Sequence, residues 1–358
     1  MPAIHQLVAG YAKGDAISNE SRVLRQMFRD WGHESEIYCE QRRTLPELRK
    51  DARDLAEAAT TIRADDIVVL HLSIGSPANA VFKTLPGRKV IVYHNVTPPE
   101  FFVGLQEEIA HHLRTGREQV ASLAGAAEIN LADSKFNASE LEALGYENVH
   151  VMPLKLERGQ WEGSLDRRIV QQFGDGRTNI LFVGRGAPNK RIEDLLFTHY
   201  YVQRYVDPDA RLIHVGSYSG LERYEALLRA KAADIKLQNY VLTGSVPPEV
   251  LRSYYSVATV FLCMSEHEGF CIPLLEAMAH RVPVLAYAAG AVPETMADAG
   301  ILLREKRFDL AAELIGRIAS DTPLRETLIA NQATRLQRYL DQDIPTLWKT
   351  HLGGLLGK

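Results

Sequence analysis

Short apolar runs alternate with amphipathic or turn-rich segments along most of this 358-residue chain. In the first half, runs of strand length lie at residues 4–9, 36–39, 67–72, 89–93, 128–132 and 149–152. In the second half, similar runs lie at residues 179–183, 212–215, 240–243, 257–264, 282–287 and 300–303. Strands that alternate with helices predict an α/β fold with parallel, doubly wound sheets. The length favours two domains.

A polar, glycine-containing segment separates the two sets of runs. It reads KLERGQWEGSLDRRIVQQFGDGR from residue 155. We therefore predict a Rossmann-like first domain at residues 1–155, a linker at 156–177 and a Rossmann-like second domain at 178–343. Two such domains are expected to face each other across a cleft, which is a common position for a ligand. We also expect helices over residues 41–64 and 101–124.

Composition and charge exclude several classes of protein. The net charge is −4 and neither half is basic, which argues against binding to nucleic acid. Three cysteines are too few for a disulfide framework and lack metal-ligand spacing, so we expect a reducing cytoplasm. No apolar run approaches the 18 residues of a membrane span, and the N-terminus does not resemble a signal peptide. Peripheral contact with the inner face of a membrane stays open. The arginines after residue 20 are interspersed with carboxylates, which favours a solvated surface.

The stretch from residue 257 to residue 295 reads as strand, loop, helix, strand and glycine turn. Glu268 lies in the loop at the carboxyl end of the strand, and Glu276 lies about one turn inside the helix. Ligands bind at this edge of an open α/β sheet, and a helix start suits a phosphate. Because helical side chains lean toward the helix N-terminus, Glu276 would point back to the same site. One carboxylate could hold sugar hydroxyls and the other a ribose.

A second candidate segment follows the first strand of the second half and reads VGRGAPNKR from residue 183. Its small residues would let the backbone approach a ligand closely. Arg185 and Lys190 would be fixed cations at a strand end, where they could bind a diphosphate. The spacing is not that of a P-loop.

The order E-G-F-x-x-P-x-x-E-A-M-A, then V-P-V, then a glycine turn ending in P-E resembles the retaining glycosyltransferases of family 4, which have the GT-B fold. The segment from residue 184 resembles the family's G-R-x-x-x-x-K, whose Arg and Lys hold the nucleotide diphosphate. The resemblance implies that Glu268 contacts the transferred sugar and that Glu276 binds the ribose. It also implies that the last helix, residues 344–358, crosses back to the first domain.

The resemblance implies further donor contacts. The catalytic residues would be Arg185, Lys190, Glu268 and His94, since a histidine at the loop of His94 often contacts the transferred sugar. The donor-binding residues would be Gly14, Gly184, Gly269, Phe270, Cys271, Leu275, Glu276 and Val246. Val246 lies where the family packs the base, and Gly14 lies where many members have a Gly-Gly turn. The chain departs from the family at Cys271, often a glycine, and beside Gly290, where a second glycine is common.

The implied function is transfer of a hexose, with retention at the front face, from a nucleotide-diphosphate sugar to a saccharide or lipid-linked saccharide. The family typically needs no metal or other cofactor, because Arg and Lys replace it. The run Y-H-N-V-T-P-P-E-F-F with this second half is most similar to bacterial mannosyltransferases of surface polysaccharide assembly, which favours GDP-mannose. UDP-glucose, UDP-N-acetylglucosamine, a GT-B epimerase and a non-catalytic nucleotide-sugar-binding subunit stay open.

Overall fold

The computed structural model describes residues 1–157 and 159–356, which form two compact units. Residue 158 of the predicted linker and residues 357 and 358 of the predicted last helix lie outside the described residues. Each unit is an α/β domain built on one parallel sheet, which confirms the predicted fold class. None of the helices in the described ranges combines the length and hydrophobicity that a membrane span needs.

The strands and helices of the described residues are numbered in chain order. The strands are β1 (Ile4–Val8), β2 (Ile37–Cys39), β3 (Arg53–Asp54), β4 (Ile67–Leu72), β5 (Arg88–Tyr93), β6 (Ile129–Ala132), β7 (Val149–Val151), β8 (Asn179–Val183), β9 (Arg211–Val215), β10 (Tyr240–Leu242), β11 (Val260–Cys263), β12 (Val284–Tyr287) and β13 (Ile301–Leu303). The helices are α1 (Ala16–Asp30), α2 (Ala58–Thr61), α3 (Pro77–Thr84), α4 (Glu107–Ser122), α5 (Lys135–Ala143), α6 (Arg167–Phe173), α7 (Ile192–Tyr205), α8 (Glu222–Asp234), α9 (Pro248–Val257), α10 (Ile272–Ala279), α11 (Val292–Met296), α12 (Phe308–Ser320), α13 (Thr322–Leu340) and α14 (Ile344–Leu356).

The first unit holds a seven-stranded sheet in the order β3-β2-β1-β4-β5-β6-β7, with every pair parallel. It comprises residues 1–100 and 107–155 together with α14. Strand β4 is apolar almost throughout and completely buried, as expected of a central strand covered on both faces. One core cluster joins α1, the central strands and α14, where Trp348 packs edge-to-face on Phe28 with ring centroids 5.5 Å apart.

The second unit holds a six-stranded parallel sheet in the order β10-β9-β8-β11-β12-β13. It comprises residues 156–342 and the short segment 101–106. Helix α6 lies within the predicted linker, and its Phe173 ring packs against Tyr254 of α9, with centroids 5.5 Å apart. Strand order reverses between β8 and β11, which is the switch point where ligands bind in doubly wound sheets.

Two helix predictions are wrong. Residues 41–64 contain short 3-10 turns, the two-residue strand β3 and only one α-helical turn, α2. Pro46 disfavours helical backbone at the residue before it, and Pro46 itself begins a 3-10 turn. The helix expected from residue 101 begins instead at Glu107, because Gly104 takes a left-handed φ of 76° in the turn before it.

Candidate functional site

Two loops meet at the carboxyl ends of β8 and β11, which are hydrogen-bonded neighbours. The Glu266 amide donates to Asn189 O (2.9 Å), and Asn189 Nδ2 donates to His267 O (3.1 Å). These bonds hold the loop of Lys190 beside the loop of Glu268. Lys190 Nζ consequently lies 2.7 and 2.6 Å from the two carboxylate oxygens of Glu268.

The ion pair of Lys190 and Glu268 is largely removed from water. The exposed fraction is 23% for the Lys190 side chain and 8% for the Glu268 side chain. Burial lowers the pKa of Lys190, but the carboxylate of Glu268 outweighs burial, so the pKa of this lysine is raised overall. The lysine is therefore a fixed cation at pH 7, and its present partner is the carboxylate that was predicted to contact sugar.

The glycine turn after β12 packs against the backbone of the Glu268 loop and supports it. A Cβ added to Gly290 would lie 2.5 Å from the backbone oxygen of Glu268 and 2.9 Å from its nitrogen. The amide of Ala291 donates to that same oxygen (2.9 Å), and Thr295 Oγ1 donates to Phe270 O (2.6 Å). Only glycine fits at residue 290, whereas Ala291 has ordinary right-handed backbone. The missing second glycine therefore leaves this support intact.

Helix α10 begins at Cys271, which takes a left-handed backbone (φ 72°, ψ 64°). Glycine adopts this conformation without strain, which gives a physical reason for the glycine common at this position in the family. The Cys271 side chain does not cap the helix, so it does not satisfy the first amides of α10. Anions are stabilised at such a helix start.

Glu276 lies in α10 and is hydrogen-bonded inside the second unit. Tyr255 of α9 donates its hydroxyl to Glu276 Oε2 (2.8 Å). Burial raises the pKa of Glu276, and hydrogen bonds from Tyr255 and Trp161 partly oppose that rise. A ribose hydroxyl would have to share or replace one of these donors.

Arg185 is exposed in the loop after β8, and its Nη2 donates to Ser219 O (3.0 Å). Burial of part of its guanidinium group lowers its pKa, although arginine stays charged at pH 7. Gly184 precedes it with a φ of 152°. The second unit thus brings Arg185, Lys190 and Glu268 to the loops at neighbouring strand ends.

The other predicted donor residues of the second unit are placed as follows. Gly269 lies in the Glu268 loop, and Phe270 is buried with its ring edge-to-face on Tyr339. The side chain of Leu275 is completely buried in the core, so only its backbone could meet a ligand. Val246 is partly exposed in the loop after β10.

His94 lies in the first unit, at the end of β5, within a chain of buried polar groups. Its Nδ1 is 2.8 Å from Asp133 Oδ2 and 3.6 Å from Glu20 Oε2. Its Nε2 is 2.9 Å from His71 Nδ1, and His71 Nε2 is 2.9 Å from Gln6 Oε1. Both ring nitrogens of His94 therefore have protein partners.

The positions of the protons in this series of hydrogen-bonded side chains can be assigned by starting at Gln6. Gln6 Nε2 donates to Ser21 O, so Gln6 Oε1 accepts from His71 Nε2. Burial lowers the pKa of His71 well below its usual value, so this ring is neutral and its Nδ1 accepts from His94 Nε2, while His94 Nδ1 donates to Asp133. His94 is thus an imidazolium: burial lowers its pKa, but Asp133 and Glu20 outweigh burial and raise it to about 9.

Gly14 lies in the loop after β1 with a left-handed φ of 73°. The next residue, Asp15, caps α1 by accepting from the amide and hydroxyl of Ser18 (2.8 and 2.7 Å). Arg25 of the same helix bonds Asp51, and Arg29 bonds Glu36. The side chain of Arg29 is 42% exposed and agrees with a solvated face, whereas that of Arg25 is 12% exposed and is packed against Asp51.

Two groups among the described residues could offer metal ligands, with ligand atoms within 4.8 Å of one another. In the group Glu20, His71 and His94, the two rings already bond each other. In the group Cys263, Glu268 and Cys271, the ammonium of Lys190 bonds both oxygens of the carboxylate. Neither group, as arranged, presents a set of free ligand atoms for a cation.

Reasoning from the sequence missed several polar residues that hold these sites together. Asp133, Glu20 and Gln6 surround His71 and His94, and His214 and Tyr218 support the Gly184 loop. A signal was present at His214 and at Gln6, since each is a polar residue in the interior of a mostly apolar strand. Buried polar groups need partners, so such positions indicate a hydrogen-bond network.

The fold has close counterparts among solved structures. Anabaena HepE in complex with UDP and glucose is 18% identical, with a TM-score of 0.76 over 99% of this chain and 100% of that one. Sucrose-phosphate synthase from Thermosynechococcus elongatus is 17% identical, with a TM-score of 0.75 over 99% of each chain. The two Rossmann-like units are those of the GT-B glycosyltransferase fold.

Residues 166–335 match the family model described as "Glycosyl transferases group 1". The chain therefore carries a glycosyl transferases group 1 domain, which confirms the resemblance to family 4 drawn from the motifs.

Curated relatives agree with this family. A GDP-mannose-dependent alpha-mannosyltransferase from Mycolicibacterium smegmatis is 34% identical over 38% of this chain and 33% of the relative. A GDP-mannose:cellobiosyl-diphosphopolyprenol alpha-mannosyltransferase from Xanthomonas oryzae pv. oryzae is 32% identical over 47% of this chain and 46% of the relative. A D-inositol 3-phosphate glycosyltransferase from Acidothermus cellulolyticus is 30% identical over 59% of this chain and 47% of the relative. The chain spans less than half the length of these relatives.

Proposed function

We propose that the chain is a retaining glycosyltransferase that moves a hexose from a nucleotide-diphosphate sugar to a saccharide or lipid-linked saccharide. The observation that carries the proposal is the buried ion pair of Lys190 and Glu268 at the switch point of the second sheet. The loop of Lys190 also carries Arg185, and the loop of Glu268 leads into α10, whose start the side chain of Cys271 leaves uncapped. A lysine, an arginine and a helix N-terminus together suit a diphosphate.

The ion pair gives the two residues linked roles. A diphosphate competes with the carboxylate of Glu268 for the ammonium of Lys190. Once the ammonium turns to the phosphates, the oxygens of Glu268 can accept hydrogen bonds from sugar hydroxyls. Recognition of the sugar would then depend on the diphosphate, so a free hexose should bind poorly.

The proposed chemistry needs charge stabilisation more than a proton-transfer residue. Lys190, Arg185 and the amides of α10 would stabilise the charge that develops on the leaving diphosphate. One such preorganised donor is commonly worth about 3 kcal/mol in other enzymes. In the front-face route, the leaving phosphate itself helps to accept the proton of the attacking hydroxyl. We assign the acceptor mainly to the first unit. His94 would contact the transferred sugar by exchanging one of its two protein partners, His71 or Asp133, for a sugar hydroxyl.

GDP-mannose is the donor that we propose first. Two of the relatives named above act with GDP-mannose by their names, and both matches fall between 30 and 35% identity. UDP-glucose and UDP-N-acetylglucosamine are the alternatives. The HepE structure carries UDP and glucose, but at 18% identity that likeness supports the fold alone.

A thermal-shift panel of GDP-mannose, UDP-glucose, UDP-N-acetylglucosamine and free mannose tests donor binding. We expect one nucleotide sugar to raise the melting temperature and free mannose to leave it unchanged, since a ligand that binds only the folded state stabilises it. A panel without any stabilising nucleotide sugar would contradict the donor site.

Transfer or slow hydrolysis of the stabilising sugar then separates an enzyme from a non-catalytic binding subunit. In the enzyme, Arg185→Ala should lower turnover by roughly 100-fold, because one fixed cation near the leaving diphosphate is lost. Arg185 is an exposed side chain, so folding should be little changed. Turnover by folded Arg185→Ala at the rate of the unmodified protein would remove this arginine from the mechanism.

A further inference from the structure

His214 is a fully buried histidine inside β9, a strand whose other residues are also buried. Its Nε2 lies 2.9 Å from the carbonyl oxygen of Gly184, and its Nδ1 lies 2.9 Å from the hydroxyl of Tyr218. Gly184 begins the loop that carries Arg185 and Lys190. A polar ring inside the sheet therefore contacts the backbone of the loop proposed to bind a diphosphate.

The direction of donation along these two bonds is fixed. A carbonyl oxygen only accepts, so a proton of His214 is on Nε2; when the ring carries no second proton, Nδ1 accepts the hydroxyl proton of Tyr218. This requires a neutral ring. Burial lowers the pKa of His214 to about 4, so the ring is neutral at pH 7.

The same loop is held by close packing. A Cβ added to Gly216 would lie 1.8 Å from the oxygen of Gly184, and a Cβ added to Gly186 would lie 2.1 Å from the ring of Tyr218. The amides of Gly184 and Gly186 donate to Val215 O and Ser217 O, each at 3.0 Å. The loop thus lies against β9 and the turn after it, with the Gly184 carbonyl directed toward them.

The direction of that carbonyl has an electrostatic consequence. A carbonyl oxygen carries partial negative charge and would repel a phosphate that lies near it. Backbone amides and cations attract the same phosphate. Because the Gly184 carbonyl points toward the sheet, its negative oxygen does not oppose the positive charges of Arg185 and Lys190 at the proposed phosphate site.

We propose that His214 and Tyr218 are positioning residues for the diphosphate: they hold the Gly184 carbonyl toward the sheet and so fix the loop of Arg185 and Lys190. This inference rests on the proposed function, because it assumes that a nucleotide diphosphate binds at that loop. Neither residue touches the phosphates. Tyr218 acts through His214, because its hydroxyl keeps the ring proton on Nε2.

The test compares a nucleoside, its monophosphate and its diphosphate in titration calorimetry on the full chain. Guanosine, GMP and GDP are used, or the uridine series if UDP is the form that binds the unmodified protein. We expect His214→Leu to weaken the diphosphate about tenfold, the effect of losing one directed hydrogen bond. The nucleoside should change less than twofold. A general folding defect would instead weaken all three ligands alike.

Two further variants refine the test. Glutamine places an amide nitrogen close to the position of a histidine Nε2, so His214→Gln should bind the diphosphate within about threefold of the unmodified protein. Tyr218→Phe keeps the ring against Gly186 but loses the hydroxyl, and we expect a loss of about threefold to fivefold for the diphosphate.

His199 supplies a matched control. It is also a buried histidine whose pKa burial lowers to about 4, and its Nε2 lies 3.0 Å from the carbonyl oxygen of Gln238. Gln238 precedes β10 and therefore lies at the amino edge of the parallel sheet, opposite the loop of Arg185. His199→Leu should lower stability and leave the diphosphate affinity unchanged.

The outcomes separate this inference from the function on which it rests. If the unmodified protein binds no nucleotide diphosphate, both are overturned. If it binds one, and His214→Leu binds it equally well or loses as much for the nucleoside, only the positioning role is overturned. If His214→Leu does not fold, Tyr218→Phe carries the test, and an unchanged diphosphate affinity in that variant overturns the proposal.

Discussion

At the scale of single residues, the ion pair of Lys190 and Glu268 governs both stability and the proposed binding. Because Glu268 is nearly buried, removing its partner leaves a carboxylate without a counter-charge. We expect Lys190→Ala to lower the free energy of unfolding by about 3 kcal/mol. The double variant Lys190→Ala/Glu268→Ala should lose less than this single variant, since it leaves no unpaired charge. Urea unfolding at pH 7 measures both.

A double variant that is less stable than Lys190→Ala would contradict this account. The same comparison has a practical use. A loss of turnover in Lys190→Ala cannot be assigned to chemistry until the stability of this variant is known. Arg185→Ala does not need this correction, because Arg185 is exposed and its removal should change folding little.

Cys271 tests the cost of left-handed backbone in a residue with a side chain. Glycine relieves the strain at φ 72° but loses a buried thiol, so we expect Cys271→Gly to lie within about 1 kcal/mol of the unmodified protein. Cys271→Val should cost more than about 2 kcal/mol, because a β-branched residue is strongly disfavoured there. Denaturant unfolding of the two variants gives the comparison, and equal stability would remove backbone strain from the explanation.

The sequence could predict which residue types stand at the strand ends, but not their partners. Arg185, Lys190 and Glu268 follow from motif spacing and lie in the loops where they were expected. The direct bond between Lys190 and Glu268 could not be predicted, because it joins residues 78 apart and depends on side-chain conformation. The engagement of both His94 nitrogens was missed for the same reason: its partners come from separate elements.

At the scale of elements, α14 completes the core of the first unit. Trp348 is 1% exposed and packs in the same cluster as Phe28 and the central strands. We expect Trp348→Ala to lower the free energy of unfolding by about 3 to 5 kcal/mol, the usual cost of truncating a buried aromatic residue. Leu347→Ala, one residue earlier and 36% exposed, should change it by less than about 1 kcal/mol. Equal losses in urea unfolding would exclude a packing role specific to Trp348.

Elements were predictable where the local pattern and the tertiary environment agree. The buried strands β4, β8 and β11 are apolar except for His71 and Asn179, so their existence follows from the sequence. Residues 41–64 carry leucines at helical spacing, yet Pro46 and a very short edge strand determine their structure. An edge strand such as β3 is stabilised by pairing with a neighbouring strand. The local sequence pattern carries no information about that neighbour.

At the scale of the whole molecule, buried histidines predict how stability depends on pH. His199 and His214 have pKa values of about 4 in the folded protein, below the ordinary value near 6.5. Between pH 6.5 and 4 only the unfolded chain binds these protons, so stability should fall as pH falls through this window. His94, with a pKa of about 9, has the opposite sign. Its contribution is complete below pH 6.5 and is lost as pH rises to about 9.

Urea unfolding between pH 4 and pH 9 should therefore show greatest stability near pH 6 to 7. His199→Leu should flatten the acid side, and Asp133→Asn should flatten the alkaline side by removing the carboxylate that holds the His94 proton. Nuclear magnetic resonance titration of His94 should show a lower pKa in Asp133→Asn. An unchanged pKa would contradict the proton assignment in the first unit.

The position of α14 has a consequence for synthesis on the ribosome. Residues 1–155 hold the sheet of the first unit, yet the core of that sheet includes side chains from residue 344 onward. A nascent chain that has just emerged to residue 155 still lacks one helix of its first core. The second unit, apart from the short segment 101–106, is continuous and can close before α14 emerges. The first part of the chain to be translated should therefore be the last to reach its final packing.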